Sequence, residues 1–569
     1  MFINTYIMKQ QTNLIFGLII VLISNIAISQ TVDIEGYAYL EGQSNHDSIK
    51  LLFERTVPST LSDSVYTDNS GYFNITIETG IYNITYSKQN FILIFIFDQI
   101  LYSNTLLADT TLECGLCGQL SGILPTGIYK VGCNIEVPVN DTLTIEPGVT
   151  LLFKQDIEFD INGLLIAEGT SNDSIIFTQY NDTTRWNGLK FNNDADDNSI
   201  LSFCLVEYSK NSGIYCNNSS INILNSTISN NDLVYYGGGI YFENSNSTIQ
   251  NSIISNNNAD SEGGGIYFYY SNPTIINTII SHNYADYGGG IYCDNSNSSL
   301  KNNIINNNSA GYGGGIYCLY SDINITNSNI CSNSAVPINH GGGISCEYSS
   351  PTIVNSIISD NSNMGIAVSS GNPTILNSDF WNNTNGDCVN CDPWIGVNVT
   401  VNANGDSIDP YGNLQLDPIY TGLVYEDYHL QTNSPCIDAG INDQINIQID
   451  FDNNIRIWDG NNDSDTVVDM GAYEFGAPLY TNLNNFTDQA NRIHLNLYPN
   501  PSNGIINIET FSIDNYYIEI YDIRGQLIYE NQIIEPNYST INLSNQKEGI
   551  YILRLHSRNA IRTEKIIIM

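Results

Sequence analysis

The sequence predicts an all-β protein centred on a parallel β-helix, and three observations carry that prediction. First, one phrase recurs: Gly213-Ile214-Tyr215-Cys216, Gly239-Ile240-Tyr241-Phe242, Gly265-Ile266-Tyr267-Phe268, Gly290-Ile291-Tyr292-Cys293, Gly315-Ile316-Tyr317-Cys318, Gly343-Ile344-Ser345-Cys346 and Gly365-Ile366-Ala367-Val368. The Ile residues are spaced by 26, 26, 25, 25, 28 and 22. A period of this size means stacked units, none of which buries its face alone. Second, two Asn series keep the same step: Asn225, Asn251, Asn277, Asn302, Asn327, Asn355 and Asn377, and Asn231, Asn257, Asn283, Asn308, Asn333, Asn361 and Asn383. Third, each period holds two or three short apolar pieces and no helical pattern. Strands and turns on such a period describe coils of a β-helix.

The chain opens on an export signal, residues 1–29. Lys9 supplies the positive region, Asn13 to Ile28 is largely apolar, and Ala27-Ile28-Ser29 is a small-residue cleavage site that starts the mature chain at Gln30. A retained anchor is the competing reading, but the apolar core is shorter than the ~20 residues a spanning helix needs. Residues 30–113 follow as alternating strands with turns at Asn69-Ser70-Gly71 and Thr79-Gly80. The turn Thr67-Asp68, the run Gly71-Tyr72-Phe73 and the strand Gly80-Ile81-Tyr82 resemble the carboxypeptidase regulatory-like sandwich. The resemblance implies a spacer or binding module.

The β-helix is assigned to residues 114–400. Asn tolerates the left-handed backbone of a corner, and stacked Asn amides can bond from rung to rung. The Gly triplets at 237–239, 263–265, 288–290, 313–315 and 341–343 fit a corner where a side chain would clash. Strand alternation sends Ile214 and Cys216 inward and Tyr215 outward. Cys216, Phe242, Phe268, Cys293, Cys318 and Cys346 thus form an inner stack of unbonded fillers. Tyr215, Tyr241, Tyr267, Tyr292 and Tyr317 form an exposed outer column, a candidate glycan-binding strip because aromatic faces stack on sugar rings. Mutual stabilisation of neighbouring strands is the plainer role for the same column. Cys114/Cys117 and Cys388/Cys391 read as staples at the two ends, with metal binding as the alternative. The entry turns Pro147-Gly148-Val149, Gly163-Leu164-Leu165 and Trp186-Asn187-Gly188 resemble the first coils of secreted bacterial proteins of the pectin-lyase-like, right-handed fold.

Residues 401–476 resemble the cap behind many such solenoids, through Asp417-Pro418, Asp427-Tyr428-His429-Leu430, Ser434-Pro435-Cys436-Ile437-Asp438, Arg456 and Asp469-Met470-Gly471. A cap is expected to close the open end. A linker, 477–494, leads to a small basic β-module at 495–569. Its LYPNP opening, YDIRGQLI strand-turn-strand, EGIYILRL strand and KIII ending resemble the type A C-terminal sorting domain of the type IX secretion system. That resemblance implies a Bacteroidota-type organism, passage to the outer surface, the secretion machinery as partner, and removal of the module on arrival.

Composition narrows the function. The 569 residues hold 59 Asp+Glu against 18 Lys+Arg, a net charge of −41. Nucleic acid as partner is excluded by this lack of cations. A uronate lyase needs a basic residue and carboxylate neutralisation, yet residues 134–390 hold only Lys154, Arg185, Lys190, Lys210 and Lys301. A hydrolase needs converging carboxylates; Glu243, Asp294 and Glu347 are spread along the coils at no more than one per rung, and His282, His340 and His429 stand singly. No catalytic residue is assigned. Calcium is the one cofactor suggested, held by Asp450, Asp452, Asp459, Asp463 and Asp465 around tight turns; a solvated acidic turn explains them equally. The expected role is non-catalytic: adhesion or binding of extracellular polysaccharide or a neighbouring cell surface. The runner-up is a polysaccharide lyase or hydrolase, and a ligand-free spacer is the third reading.

Overall fold

The computed structural model describes residues 30–480, apart from positions 42, 89–90, 92–93, 114, 182–184, 234, 337, 339 and 446, and the strands of 494–568 with their better-placed turns. The export signal, Cys114 and most of the linker lie outside the described residues. The chain forms two compact units, 1–479 and 480–569. Among the described residues every regular element is a strand or a single 3₁₀ turn.

The first unit opens with two four-stranded sheets. Thr31–Leu40 pairs antiparallel with Tyr72–Glu78, and Lys50–Val57 pairs with Leu61–Tyr66 and Gly80–Ser87. Alternate residues of both sheets, among them Ile34, Phe53, Phe73 and Ile84, share one core.

The right-handed β-solenoid follows, with about ten turns. One face is an eleven-stranded parallel sheet from Gly122–Leu124 to Thr374–Leu376. A second face stacks the Ile-Tyr-Cys strands and a third stacks strands such as Ile253–Ser255 and Ile279–Ser281. Register is set as the repeat predicts: Ile240 opposes Ile266, Tyr241 opposes Tyr267 and Phe242 opposes Phe268. The Ile and Cys/Phe columns are wholly buried, and Cys216, Cys293, Cys318 and Cys346 are free thiols. Of the predicted staples, Cys388 pairs with Cys391, while Cys117 pairs with Cys133 in the next coil.

The two Asn series divide their labour. Asn225, Asn251, Asn277, Asn302, Asn327, Asn355 and Asn377 are corners, with φ between 44° and 52°. The Asn231 series is an internal ladder. Each amide donates to the next, as from Asn257 Nδ2 to Asn283 Oδ1 at 3.1 Å and from Asn283 Nδ2 to Asn308 Oδ1 at 3.0 Å. Each also donates to a main-chain carbonyl, as Asn283 Nδ2 does to Ile254 at 2.9 Å. The ladder's buried amides are tolerated because each is hydrogen-bonded. The Gly triplet turns the adjacent corner: a Cβ on Gly264 would meet the Tyr284 carbonyl oxygen at 2.2 Å.

The third face carries an outward column, Thr227, Ile253, Ile279, Ile304, Asn329, Ile357 and Asp379. Ile253 is 41% exposed, whereas Ile304 and Ile357 are buried. What buries them is the segment expected to close the end. Leu414 bridges to Asp379 and extends the last coil by one partial rung. Residues beyond it lie back along the flank: Leu430, Cys436, Ile437 and Met470 pack on Ile357, and Tyr428, Ala472 and Tyr473 pack on Ile304 and Cys331. Polar clasps fix this flap. Ala472 N donates to Asn329 Oδ1 at 2.6 Å, Asn329 Nδ2 to the Tyr420 hydroxyl at 3.0 Å, and Ile441 N to Asn355 Oδ1 at 2.8 Å. The solenoid's end is packed instead by Cys388, Cys391 and Ile395. The expected end-cap is therefore a side flap, which takes from water the apolar side chains of the outward Ile column.

The second unit has a three-stranded antiparallel sheet of His494–Tyr498, Ile505–Phe511 and Tyr538–Asn542. A four-stranded sheet holds Leu527–Ile533, Tyr516–Asp522, Gly549–Ser557 and Ile561–Ile568. Ile506, Ile508, Ile518, Ile520, Leu553 and Ile566 join both sheets in one core.

Candidate functional site

The five tyrosines of the repeat do stand in one column, with ring centroids 5.0, 5.0, 5.1 and 5.2 Å apart. The column is not the exposed strip that alternation predicts. Tyr267, Tyr292 and Tyr317 are each only 6% exposed, and Tyr215 and Tyr241 are half-buried. Alternation places a side chain outside the solenoid core but does not say whether a second layer covers it. Here one does. Between each ladder Asn and the next Gly triplet the chain adds a short strand, and five of these form a small sheet from Asp232–Leu233 to Ser334–Ala335. Tyrosines of this layer roof the column: Tyr236, bridged to Glu262 beside the sheet, lies 5.4 Å from Tyr267, and Tyr287 of the sheet lies 5.4 Å from Tyr317. Tyr287 and Tyr312 stack at 4.8 Å, and His340 meets Tyr312 edge-on at 4.2 Å.

Carboxylates border this aromatic layer. The Tyr215 hydroxyl donates to Glu243 at 2.5 Å, and the Tyr317 hydroxyl to Glu347 at 2.5 Å. Burial, reinforced by these carboxylates, holds both phenols well above their ordinary value. Burial likewise raises the carboxyls of Glu262 and Asp294 and lowers His340. The aromatic layer is therefore neutral and acidic carboxyls edge it.

The exposed aromatics lie one corner further on. Tyr270, Tyr320 and Tyr348 are 52, 55 and 54% exposed. Tyr270 meets Tyr269 at 4.7 Å, and Tyr320 stacks on Tyr348 at 4.9 Å with ring planes 9° apart. All three have left-handed backbone, φ 48°, 48° and 49°, at a corner where Asn218, Asn244 and Asn295 stand in other coils. Left-handed geometry costs a side chain with a Cβ roughly 1–2 kcal/mol, and Asn relieves part of that cost by local hydrogen bonds that Tyr lacks. Sequence reasoning missed these residues, although "Tyr where the repeat has Asn" is a visible signal.

The predicted calcium residues fall in two turns. Asp450 is fully buried and accepts from the main-chain N–H groups of Asp452, Asn454 and Glu474 at 2.9, 2.7 and 2.9 Å. Asp452 is hydrogen-bonded to His429 Nε2 at 2.7 Å, and His429 Nδ1 meets Asp427 at 2.5 Å. The second turn brings Asp459, Asp463 and Asp465 together: Asp459 accepts from Asp463 N and Ser464 N, and Asp463 from Asp465 N. Among the described residues no three His, Cys, Asp or Glu side chains form a metal-ligand group. The histidines do not stand singly either: His282 pairs with Glu426 at 3.2 Å, across the flap's edge. Four of the five solenoid cations are engaged: Lys154 with Glu113, Arg185 with the carbonyls of Ser209 and Asn230, Lys190 with Glu158 and Asp160, and Lys210 with Asp156.

Comparison with known families agrees with this architecture. Residues 167–330 match the family model of the right-handed β-helix region. Residues 496–569 match that of the secretion system C-terminal sorting domain. No curated protein matches the chain. A β-solenoid joined to such a tail defines a class: secreted or cell-surface β-helix proteins. This chain carries the type IX sorting domain, and through it interacts with the type IX secretion system.

Proposed function

We propose that the mature protein is a non-catalytic surface β-helix that binds polysaccharide along its tyrosine face, in adhesion to a glycan or a neighbouring cell. Tyr215, Tyr241, Tyr267, Tyr292 and Tyr317 serve as the rigid floor of that face. Tyr270, Tyr320 and Tyr348 are its contact ledge. The observation that carries the reading is the ledge itself: three exposed tyrosines at corners whose backbone favours Asn. A residue kept at a conformational cost where a cheaper one suffices points to a surface role. Stacked, exposed rings offer flat apolar faces to sugar rings. The amino-terminal unit is proposed as a carboxypeptidase regulatory-like spacer, and export as signal-peptide-dependent in a Bacteroidota-type organism.

The test is retention of the full chain on insoluble cellulose, mannan and pectin. Wild type is expected to be retained on at least one, and Y270A/Y320A/Y348A to elute early with an unchanged thermal midpoint. Equal retention of the variant removes the ledge. Release of reducing ends or unsaturated uronates replaces the binding reading with the lyase or hydrolase alternative. Calcium is proposed as a brace of the Asp459–Asp465 turn. A midpoint lowered by EGTA and restored by Ca²⁺ supports it; an unmoved midpoint dismisses it.

A further inference from the structure

The tyrosine column stops before the solenoid does. By strand register the column reads Lys190, Tyr215, Tyr241, Tyr267, Tyr292, Tyr317, Ser345, Ala367 and Val389. After Tyr317, three successive rungs, at Ser345, Ala367 and Val389, therefore lack a ring. The roofing sheet runs only one coil further, and its last strand, Ser334–Ala335, carries no tyrosine. Floor and roof failing together leave a hollow of about 510 Å³. Tyr317 and Tyr312 form its inner wall with His340, Glu347 stands at its side, and Ser369 and Asn390 line it at exposed positions.

Its chemistry is specific. The column's rings succeed one another at about 5 Å, and Tyr292 and Tyr317 are nearly parallel, 9° apart. A six-membered sugar ring is close in size to the phenol ring missing from the next rung. The polar groups are one carboxylate, an imidazole, two serine and three tyrosine hydroxyls and an amide, with no Lys or Arg in the lining. A uronate carboxylate in this space would face Glu347 without a counter-charge, a repulsion that selects against it. A neutral sugar meets no such barrier, and its hydroxyls can donate to the carboxylate, a charge-assisted bond.

We propose that this hollow seats one hexose unit of a neutral polysaccharide, its ring continuing the tyrosine stack and its hydroxyls donating to Glu347. The proposal rests on the glycan-binding reading above and adds to it the seat and the class of sugar. Tyr348 directly follows Glu347 in sequence, so a chain leaving the hollow has the Tyr320/Tyr348 ledge next to hand.

The experiment measures binding of the full chain to cellohexaose, mannohexaose and hexagalacturonate by titration calorimetry, for wild type, A367Y, H340A and Y270A/Y320A/Y348A. A367Y restores the residue that five earlier rungs carry and so refills the hollow. At least one neutral hexasaccharide is expected to bind wild type. A367Y should weaken it about tenfold or more and H340A several-fold, as loss of a packed ring contact does, while hexagalacturonate stays unbound. H340A removes a wall without adding bulk, so the seat is tested even where A367Y misfolds. Neutral binding unchanged in both A367Y and H340A but lost in the ledge variant overturns the hollow and leaves the glycan reading standing. Hexagalacturonate bound as tightly as the neutral sugars overturns the class. No binding of any of the three by wild type overturns the seat for hexoses of this kind, and the polysaccharide retention assay then decides whether the wider reading falls with it.

Discussion

Two outward columns of this solenoid invite comparison. Both the Tyr215–Tyr317 column and the Ile253–Asp379 column point away from the core, and both are largely buried. The tyrosines are roofed locally, by short strands that each coil adds a few residues before its own Gly triplet. The isoleucines are roofed from a distance, by the 417–475 flap that returns from beyond the last coil. A local roof repeats with the repeat and can lapse coil by coil, which is how the hollow beside Ser345 and Ala367 arises. A roof made by one continuous segment is present or absent as a whole. In a repeat protein the departures from the repeat are thus where a ligand or a second segment finds room.

Breaking the inner ladder that supports both columns should have the largest effect. Asn283→Leu takes from the Asn257 N–H and the Ile254 carbonyl their side-chain partner, and leaves the Asn257 amide with only Ile228 O and Asn308 Oδ1 with only the main-chain N–H of residue 283. At roughly 1–3 kcal/mol per orphaned group, partly relieved by relaxation, the loss is about 5 kcal/mol, read from urea unfolding. On the tyrosine side alone, Tyr267→Ala removes a buried ring packed between two neighbours, for about 3 kcal/mol by the same measurement.

On the flap side, pH gives a sharper probe. Burial pushes the Asp379 carboxyl up to about 7, against an ordinary 3.8, although Leu416 N and the Cys436 thiol donate to it. The folded state thus keeps a proton that the unfolded chain loses. Stability from this group is full below about pH 4, falls as pH rises to about 7, and is level above that. Asp379→Asn should flatten this fall, worth up to about 4 kcal/mol and in practice about 2, when unfolding midpoints at pH 5 and pH 8 are compared. An unchanged slope would place the proton elsewhere. The smallest effect is expected at Asn329→Ala, which unclasps the flap from Ala472 and Tyr420 for about 2 kcal/mol or less. Faster proteolysis within 417–475, with the coils intact, is its readout.

The repeat made most of the fold legible. Its spacing sets the coil register, the inward Ile and Cys/Phe columns and both Asn series, and the structure follows it residue by residue. The site was legible only in part. Tyr215 to Tyr317 were visible as a column, but their burial was not, because the roofing strands are two to four residues long and carry too little pattern to read. Asp452 was visible as an oxygen ligand; its pairing with His429 joins a turn to a strand 23 residues away.

The sequence by itself determined the stacking: a period near 25 residues repeats one set of inward side chains, and identical neighbours then fix the register through short-range contacts. It also determined the destination, since the tail is read as a contiguous segment. Only the tertiary structure decided what the outward residues do. Whether Tyr317 faces a roof or a hollow, and whether Ile304 faces water or Tyr428, depends on which surfaces meet after the coils have closed, and burial of outward apolar area is settled by the segments that meet it, not by the residue's own place in the repeat.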